Sequence, residues 1–381
     1  MVHKMKICFV GENPETVGGM SLFQRNLIDY LKNNEESFDI TWIHRSDKDK
    51  EEVVKGIKYV GISLPAVFLL KDIIFNKKVK RYLEKNYFDI VNSHAIWGNW
   101  MKSYKKKKIQ KLINTYHGTT YYFYKNHMGR FGCFKKMLYS PLLVFGYFYE
   151  KFPMKKADKI ICVSDKVKKQ VEDLYGKRKN IFVVRTGVDL KEFKLRKKDE
   201  VRVKLNLDEK KFYGLYIGGG GYWTKGLDRV VSLGKEIFRV NKDFRLLVIG
   251  PNYEKVGHFL KEPFIIFLEN ITREKMPFYY SASDIFFCMS RYEGGAPTLV
   301  VSEAMASGCL LVCSKDSEQE IIKDKENGLI ISEFGKKDAK KILEVYKNKK
   351  LTEKIIKNSF ETVKDLSLEK WGGEYLKILK D

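Results

Sequence analysis

With 381 residues the chain is too long for one ordinary core and suits two domains. Its apolar content of 44% is globular, and no uncharged apolar run reaches the roughly 18 residues that suggest a membrane span. A formal charge of +24, mostly lysine, leaves three readings: a Lys-rich solvated surface, an anionic membrane surface, or an acidic substrate. Nucleic acid is not expected, since no helix-turn-helix, zinc-finger or RNA-recognition signature is present.

Strands and helices alternate along the whole chain, the pattern of a parallel α/β protein. Lys6–Val10 reads as a strand and Gly11–Gly19 as a loop. Met20–Lys32 has helical periodicity through Leu22, Phe23, Leu27, Ile28 and Leu31. Asp39–Ile43 and Lys58–Ile62 are candidate strands, Val79–Lys85 a helix, and Asp89–Val91 and Lys111–Thr115 strands. Asp158–Val163 is a strand whose following Ser164 suits a helix cap, and Asn180–Val184 closes this half. Lys191–Lys211 is dense in charge and reads as the linker side of a domain boundary. A second α/β series follows: strand Tyr213–Ile217, loop Gly218–Gly221, helix Leu227–Phe238 and strand Phe244–Ile249. Strands Phe264–Leu268, Asp284–Cys288, Leu310–Cys313 and Gly328–Ile331 come next, and a helix around Trp371–Leu379 ends the chain.

The apolar run Ile7–Val10 is too short for a signal peptide, so a cytoplasmic location is expected. The six cysteines are scattered without a Cys-x-x-Cys pair and read as reduced buried thiols.

Two doubly wound domains imply a facing cleft, with ligands beyond the carboxyl ends of the strands. The loops to watch are Gly11–Gly19, His117-Gly118, Gly218–Lys225, Gly250–Tyr253 and Glu293–Thr298. Gly18-Gly19 before a helix lets a backbone pass close to a ligand and offers an anion the helix N-terminus. Lys225, between Gly218–Gly221 and Gly226, suits phosphate oxygens. Glu293 and Glu303 flank the turn Gly294-Gly295-Ala296-Pro297-Thr298, and Thr298 is placed to cap the helix carrying Glu303. Amides suit phosphate, and a carboxylate suits a vicinal diol, so this stretch suits a nucleotide-sugar. His117 ends a strand and would point toward the cleft, whereas His94 reads as an ordinary core histidine. Asp47-Lys-Asp49 matches a short metal-nucleotide motif but lies in the charged run His44–Glu52, which reads as a solvated loop. With no other carboxylate cluster, neither a catalytic metal nor a bound cofactor is expected. Tyr121–Phe152 interleaves aromatic residues with lysine and leaves two readings: a membrane interface, or a helix packed within the first domain. Val67–Phe75 adds a second apolar stretch.

Glu293…Glu303-Ala-Met-Ala-Ser-Gly308, Lys225-Gly226, Thr186-Gly-Val-Asp189, Val163-Ser164 and Gly18-Gly19 together resemble the retaining glycosyltransferases of family 4, the glycosyl transferases group 1. The resemblance covers essentially the whole chain. It implies a GT-B fold: two Rossmann-like domains facing across a cleft, with residues 1–186 holding the acceptor and 187–365 the donor, and a helix at 366–381 crossing back. It implies that Glu303 binds ribose hydroxyls, and that Glu293 and the amides of Gly294–Thr298 hold the donor sugar and phosphates. Lys225 would neutralise the diphosphate, His117 would contact the transferred sugar, and Gly19 would approach donor phosphate and acceptor. The implied activity is metal-independent transfer from a nucleotide-sugar to a glycan or lipid-linked acceptor at the cytoplasmic membrane face. A GT-B sugar-nucleotide epimerase and a non-catalytic scaffold of the same fold are the alternatives.

The sequence departs from the family pattern twice. Nine residues separate the two glutamates where the family usually has seven, so eight positions before Glu303 stands Gly295. The arginine often found six residues before the lysine is replaced by Gly219, which leaves Arg291 as a candidate substitute.

Overall fold

The computed structural model describes residues 4–16, 18–34, 38–65, 71–104, 108–218, 221–250, 254, 257–258 and 260–381. Gly219, residues 67–70, residues 251–253 and three of the four lysines of the 105–108 cluster fall outside that set. The chain forms two compact units, Met1–Arg185 with Trp371–Asp381, and Thr186–Lys370.

In the first unit the elements run β1 (Met5–Gly11), α1 (Gly19–Asn34), β2 (Phe38–Ser46), β3 (Lys50–Val54), β4 (Ile57–Ser63), α2 (Lys71–Lys85) and β5 (Phe88–His94). Then come β6 (Ile109–Tyr116), α3 (Thr120–His127), α4 (Cys133–Lys156), β7 (Lys159–Cys162), α5 (Asp165–Tyr175) and β8 (Ile181–Val183). The strands form one sheet in the order β3-β4-β2-β1-β5-β6-β7-β8. The pairs are parallel except β3 with β4. Central strand β1 is a continuous apolar run, Ile7 to Val10, fully buried because helices cover both faces of such a sheet. Ser164 caps α5 as expected, its Oγ accepting from the Val167 amide at 3.1 Å.

Within the charged run His44–Glu52 only Asp47–Asp49 is the exposed loop expected. The first part of the run extends β2, with His44 buried, and its last part opens β3. The turn between them is held by Asp49, which accepts from the Ser63 amide and hydroxyl and from Lys78 Nζ. Alternating charges fit a short edge strand, which needs little apolar burial and gains protection from edge pairing.

The second unit holds α6 (Lys198–Lys204), β9 (Phe212–Ile217), α7 (Tyr222–Lys225), α8 (Leu227–Val240), β10 (Phe244–Ile249), β11 (Ile265–Leu268), α9 (Met276–Ala282) and β12 (Ile285–Cys288). It continues with α10 (Leu299–Ala306), β13 (Leu310–Ser314), β14 (Leu329–Ile331), α11 (Lys336–Lys347), α12 (Lys349–Lys364) and the start of α13 (Leu368–Lys380). Its parallel sheet runs β11-β10-β9-β12-β13-β14. Lys191–Lys211 is a packed part of this unit rather than a loose linker. Phe193 is fully buried, and Arg202 of α6 donates to Asp284 Oδ2 at 2.8 Å and to the Ala282 carbonyl at 3.0 Å.

Helix α13 ends in the first unit. The Tyr375 hydroxyl bonds Asn92 and Thr115, while Lys111 and Lys159 donate to the carbonyls of Leu379 and Ile378. Lysines at a helix C-terminus satisfy its free carbonyls and oppose its dipole.

Candidate functional site

Each sheet has one place where its strand order reverses. Beyond the carboxyl ends of the strands flanking that place, α/β sheets bind ligands. In the second unit the reversal lies between β9 and β12. The segment after β9 carries Lys225, and the segment after β12 carries Glu293.

These segments are bound together. Lys225 Nζ donates to both carboxylate oxygens of Glu293, at 2.7 and 2.8 Å. Ser290 donates to the same carboxylate, and Ser314 holds the Ser290 carbonyl at 2.7 Å. Glu293 is only 7% exposed, so it sits where an unpaired charge would be costly. Burial opposes the Lys225 charge, but Glu293's charge and hydrogen bonds outweigh it and raise the ammonium's pKa. The Lys225 ammonium is therefore held charged in the pair. The nine-residue spacing does not carry Glu293 away from Lys225.

Gly226 makes this junction possible. Its φ of +73° is left-handed, and a Cβ there would lie 2.0 Å from the Met289 carbonyl oxygen. Only glycine satisfies both conditions. The Arg291 amide also donates to the Thr224 carbonyl at 2.8 Å. The Arg291 guanidinium grips Asp228 with both ends and lies over the Trp223 ring. Asp228 is held below the ordinary carboxylate range because Arg291 overcomes the effect of burial. Arg291 thus braces the Lys225 segment, and its bidentate partner is a carboxylate of the protein itself.

Helix α10 begins beside Glu293. Thr298 occupies its N-cap position with extended backbone but makes no side-chain cap bond. Its Oγ1 is buried without a partner, and its amide bonds Gln319 instead. The expected Thr298 cap is therefore absent, because Gln319 fixes the turn in its place. Ala296 and Pro297 are buried, while Gly294, Gly295 and Thr298 are partly open.

Glu303 lies inside α10 at 1% exposure. Tyr280 donates to its Oε2 at 2.8 Å, and Arg273 Nη1 lies 2.7 Å from Oε1. A carboxylate oxygen has two lone pairs, so Oε1 retains acceptor capacity beside Arg273. Burial raises the Glu303 pKa, with Arg273 and Tyr280 opposing the rise. Arg273, at 31% side-chain exposure, is the solvent-facing end of this cluster. Sequence reading missed Arg273 and Tyr280. Their only signal was a buried acid needing partners, which does not say where in the chain they lie.

In the first unit the strand order reverses between β1 and β5. The β1 loop is pinned by Gln24, whose Oε1 accepts from the Glu12 amide at 2.9 Å. Gly18 and Gly19 are exposed, and among the described residues no atom lies within 4 Å of the Cβ position of either. Packing against the described residues does not require glycine at these two positions. His117 follows β6, and its Nε2 lies 2.8 Å from His94 Nδ1. The rings stack with centroids 5.1 Å apart, and Phe23 meets the His117 ring edge-on at 4.6 Å. Trp371 and Tyr375 of α13 pack on Phe23 in turn. Burial pushes His117 down to about 3 and drives His94 well below its ordinary value, so both rings are neutral. His94 is the core histidine expected, but it is also the partner of His117, and its Nε2 is buried without a partner.

Near the ends of β1 and β2 a cavity of about 380 Å³ is lined by Asn13, Glu15, His44, Asp47 and Lys48 among others. Asp47 faces this cavity while Asp49 is bound to Ser63 and Lys78, so the Asp-Lys-Asp pair does not act as a unit. Among the described residues no three metal-ligating side chains converge. All six cysteines are free, and only Cys133 is exposed.

Two family profiles match in tandem: Glycosyltransferase Family 4 over residues 17–192 and Glycosyl transferases group 1 over 197–362. An uncharacterized glycosyltransferase of Methanocaldococcus jannaschii, MJ1178, is 24% identical over 365 residues, 93% of this chain and 92% of its own. Sucrose-phosphate synthase from Thermosynechococcus elongatus shares the fold with a TM-score of 0.81 at 18% identity, over 99% of this chain and 98% of that one. The lipopolysaccharide glycosyltransferase WaaG gives 0.76 at 14% identity, over 98% and 99%. Anabaena HepE, in complex with UDP-glucose, gives 0.72 at 14% identity, over 99% of each chain. With the paired profiles spanning both units and the GT-B neighbours covering the whole length, the chain belongs to glycosyltransferase family 4, the group 1 glycosyl transferases, and is a glycosyltransferase.

Proposed function

We propose that the protein is a retaining, metal-independent transferase that moves a sugar from a nucleotide-sugar to a glycan or lipid-linked acceptor at the cytoplasmic membrane face. The observation that carries the donor assignment is the Lys225–Glu293 pair at the reversal between β9 and β12, beside the start of α10. A diphosphate is an anion that Lys225 and the first amides of α10 suit. Glu293, once its lysine turns to phosphate, is an acceptor for the hydroxyls of the donor sugar. Glu303 Oε1 keeps a lone pair for a ribose hydroxyl, with Arg273 at its exposed side.

Glycosyl transfer needs the departing diphosphate stabilised as its charge grows. Lys225 supplies that cation from the protein itself, which supports a reaction without a metal. The neutral His94–His117 pair supports a sugar-facing role, because a neutral ring both donates and accepts hydrogen bonds. Gly19 supports a close approach of substrate to backbone, since no atom of the described residues fills its Cβ position. The cavity holding Glu15, His44 and Asp47 offers acceptors for a hydroxyl-rich molecule.

The test is a panel of UDP-, GDP- and ADP-sugars, with and without EDTA, read as nucleoside diphosphate release and melting shift. Release that survives EDTA and vanishes in Lys225→Ala supports the reading. Conversion of the donor to its epimer would replace transfer by epimerisation, and neither shift nor release with any donor would favour a scaffold.

A further inference from the structure

Helix α4 carries two apolar faces, and protein covers the second only in part. Its second half is buried through Gly146, Tyr149, Glu150 and Pro153. Phe134, Leu138, Pro141, Phe145, Phe148 and Phe152 follow one another at spacings of four and three, so they share a different face. Along that face Phe134 is 75% exposed, Leu138 65% and Phe148 52%, and the adjacent Met137 is 67% exposed. Every residue from Cys133 to Pro141 is exposed. A helix apolar on more than one side is ordinarily buried in a core or in lipid. Scattered single apolar residues need no explanation, but a continuous stripe does.

The surrounding charge says what covers the stripe. Between Ile90 and Tyr149 the chain has ten lysines and arginines and no aspartate or glutamate. Lys135 and Lys136 stand exposed beside the stripe on its first turns. A second copy of this chain would bring its own lysines against these, and an ordinary apolar protein surface would leave them unmatched. An anionic bilayer matches both features: rings enter at headgroup depth while lysines meet lipid phosphate. Among the described residues no helix is long and apolar enough to cross a membrane, so the stripe is suited to lie on the bilayer.

We propose that the exposed face of α4 docks this enzyme on an anionic lipid bilayer. The docking rests on the proposed function only for its purpose, since a lipid-linked acceptor is presented at that surface. The structure also ties the docking helix to the His117 loop. The buried carboxylate of Glu150 on α4 accepts from the Thr120 amide at 3.0 Å and the Thr120 hydroxyl at 2.6 Å, at the start of α3.

The test is co-sedimentation of the full chain with vesicles of phosphatidylglycerol mixed with phosphatidylcholine, and with vesicles of phosphatidylcholine alone. The wild type sediments with the anionic vesicles, less so as salt rises, and weakly with the neutral ones. Replacing both Phe134→Ser and Leu138→Ser lowers partitioning about 100-fold or more, since two buried side chains are lost. Lys135→Gln with Lys136→Gln lowers it about 30-fold, at about fivefold for each lysine near the surface. These residues are exposed, so an unchanged melting temperature and an unchanged donor-induced shift certify folded variants. No sedimentation of the wild type, equal sedimentation of the Ser variant, or a wild-type dimer that the Ser substitutions dissolve would each overturn the proposal. Loss of transfer alone, with vesicle binding intact, would count against the proposed function and leave the docking standing.

Discussion

The two sheets place very different groups at or next to their reversals. Where the second sheet reverses, Lys225 and Glu293 form a salt bridge braced by Ser290. Beside the reversal of the first sheet, His94 at the end of β5 and His117 after the next strand, β6, form a neutral pair against Phe23. The difference follows from what surrounds each pair. Lys225 has an opposite charge to offset burial, whereas each histidine has only another imidazole, so burial wins and the rings stay uncharged. One reversal is suited to a charged phosphate group and the other to neutral hydroxyls.

The largest way to break this contrast is to remove the charge from the second unit. Lys225→Ala is expected to lower turnover by about 100- to 1,000-fold, the usual cost of losing one preorganised group at a developing anion. It also strands the buried Glu293, at about 1–3 kcal/mol of stability. Lys225→Met with Glu293→Gln removes the stranded charge and recovers most of that stability while leaving transfer inactive. Urea melts and donor turnover measured on both variants separate the two effects.

Glu303→Ala, the obvious test of the ribose contact, confounds function with folding, because Arg273 and Tyr280 would lose a buried partner. Glu303→Gln keeps the volume and the Tyr280 bond. It is expected to raise the donor KM roughly tenfold, about 1.4 kcal/mol in a charge-assisted contact, with a smaller change in kcat. Steady-state kinetics against donor concentration reads that split.

The glycines sharpen the comparison further. Gly226→Ala meets the Met289 carbonyl oxygen in a left-handed backbone and is expected to cost about 1–3 kcal/mol. Gly19→Ala meets no atom of the described residues and is expected to change stability by less than about 0.5 kcal/mol while lowering turnover. Equal destabilisation by both, in denaturant titrations, would remove the distinction between a packing glycine and a substrate glycine.

The last way to break the contrast is pH. The His117 pKa falls from 6.5 unfolded to about 3 folded, so the unfolded chain binds the proton more readily between those values. Stability is therefore full above about 6.5 and declines as pH falls toward 3. His117→Asn should flatten that decline in melts taken across this window. An unchanged slope would mean that the ring is solvated.

The architecture was legible because it is written locally. Apolar runs such as Ile7–Val10 and Phe244–Ile249 announce buried strands, and Ser164 announces a helix start. Edge strand β3 was not legible, because an edge strand needs few apolar residues and its charges resemble those of a loop. The same bias made Lys191–Lys211 look like a linker, although Arg202 is buried against Asp284, 82 positions away. At the donor site, Lys225 and Glu293 were legible singly and their pairing was not, since 68 residues separate them. Arg273, Tyr280 and the bracing role of Arg291 were hidden for the same reason. The side-chain geometry that assigns partners is a property of the packed unit.

The donor assignment is tested most directly by the melting shift with UDP, GDP and ADP on three proteins: wild type, Lys225→Ala and His117→Ala. At least one diphosphate should raise the wild-type Tm, the shift should vanish in Lys225→Ala, and it should persist in His117→Ala. A full shift in Lys225→Ala would contradict the assignment of the diphosphate to the β9–β12 reversal.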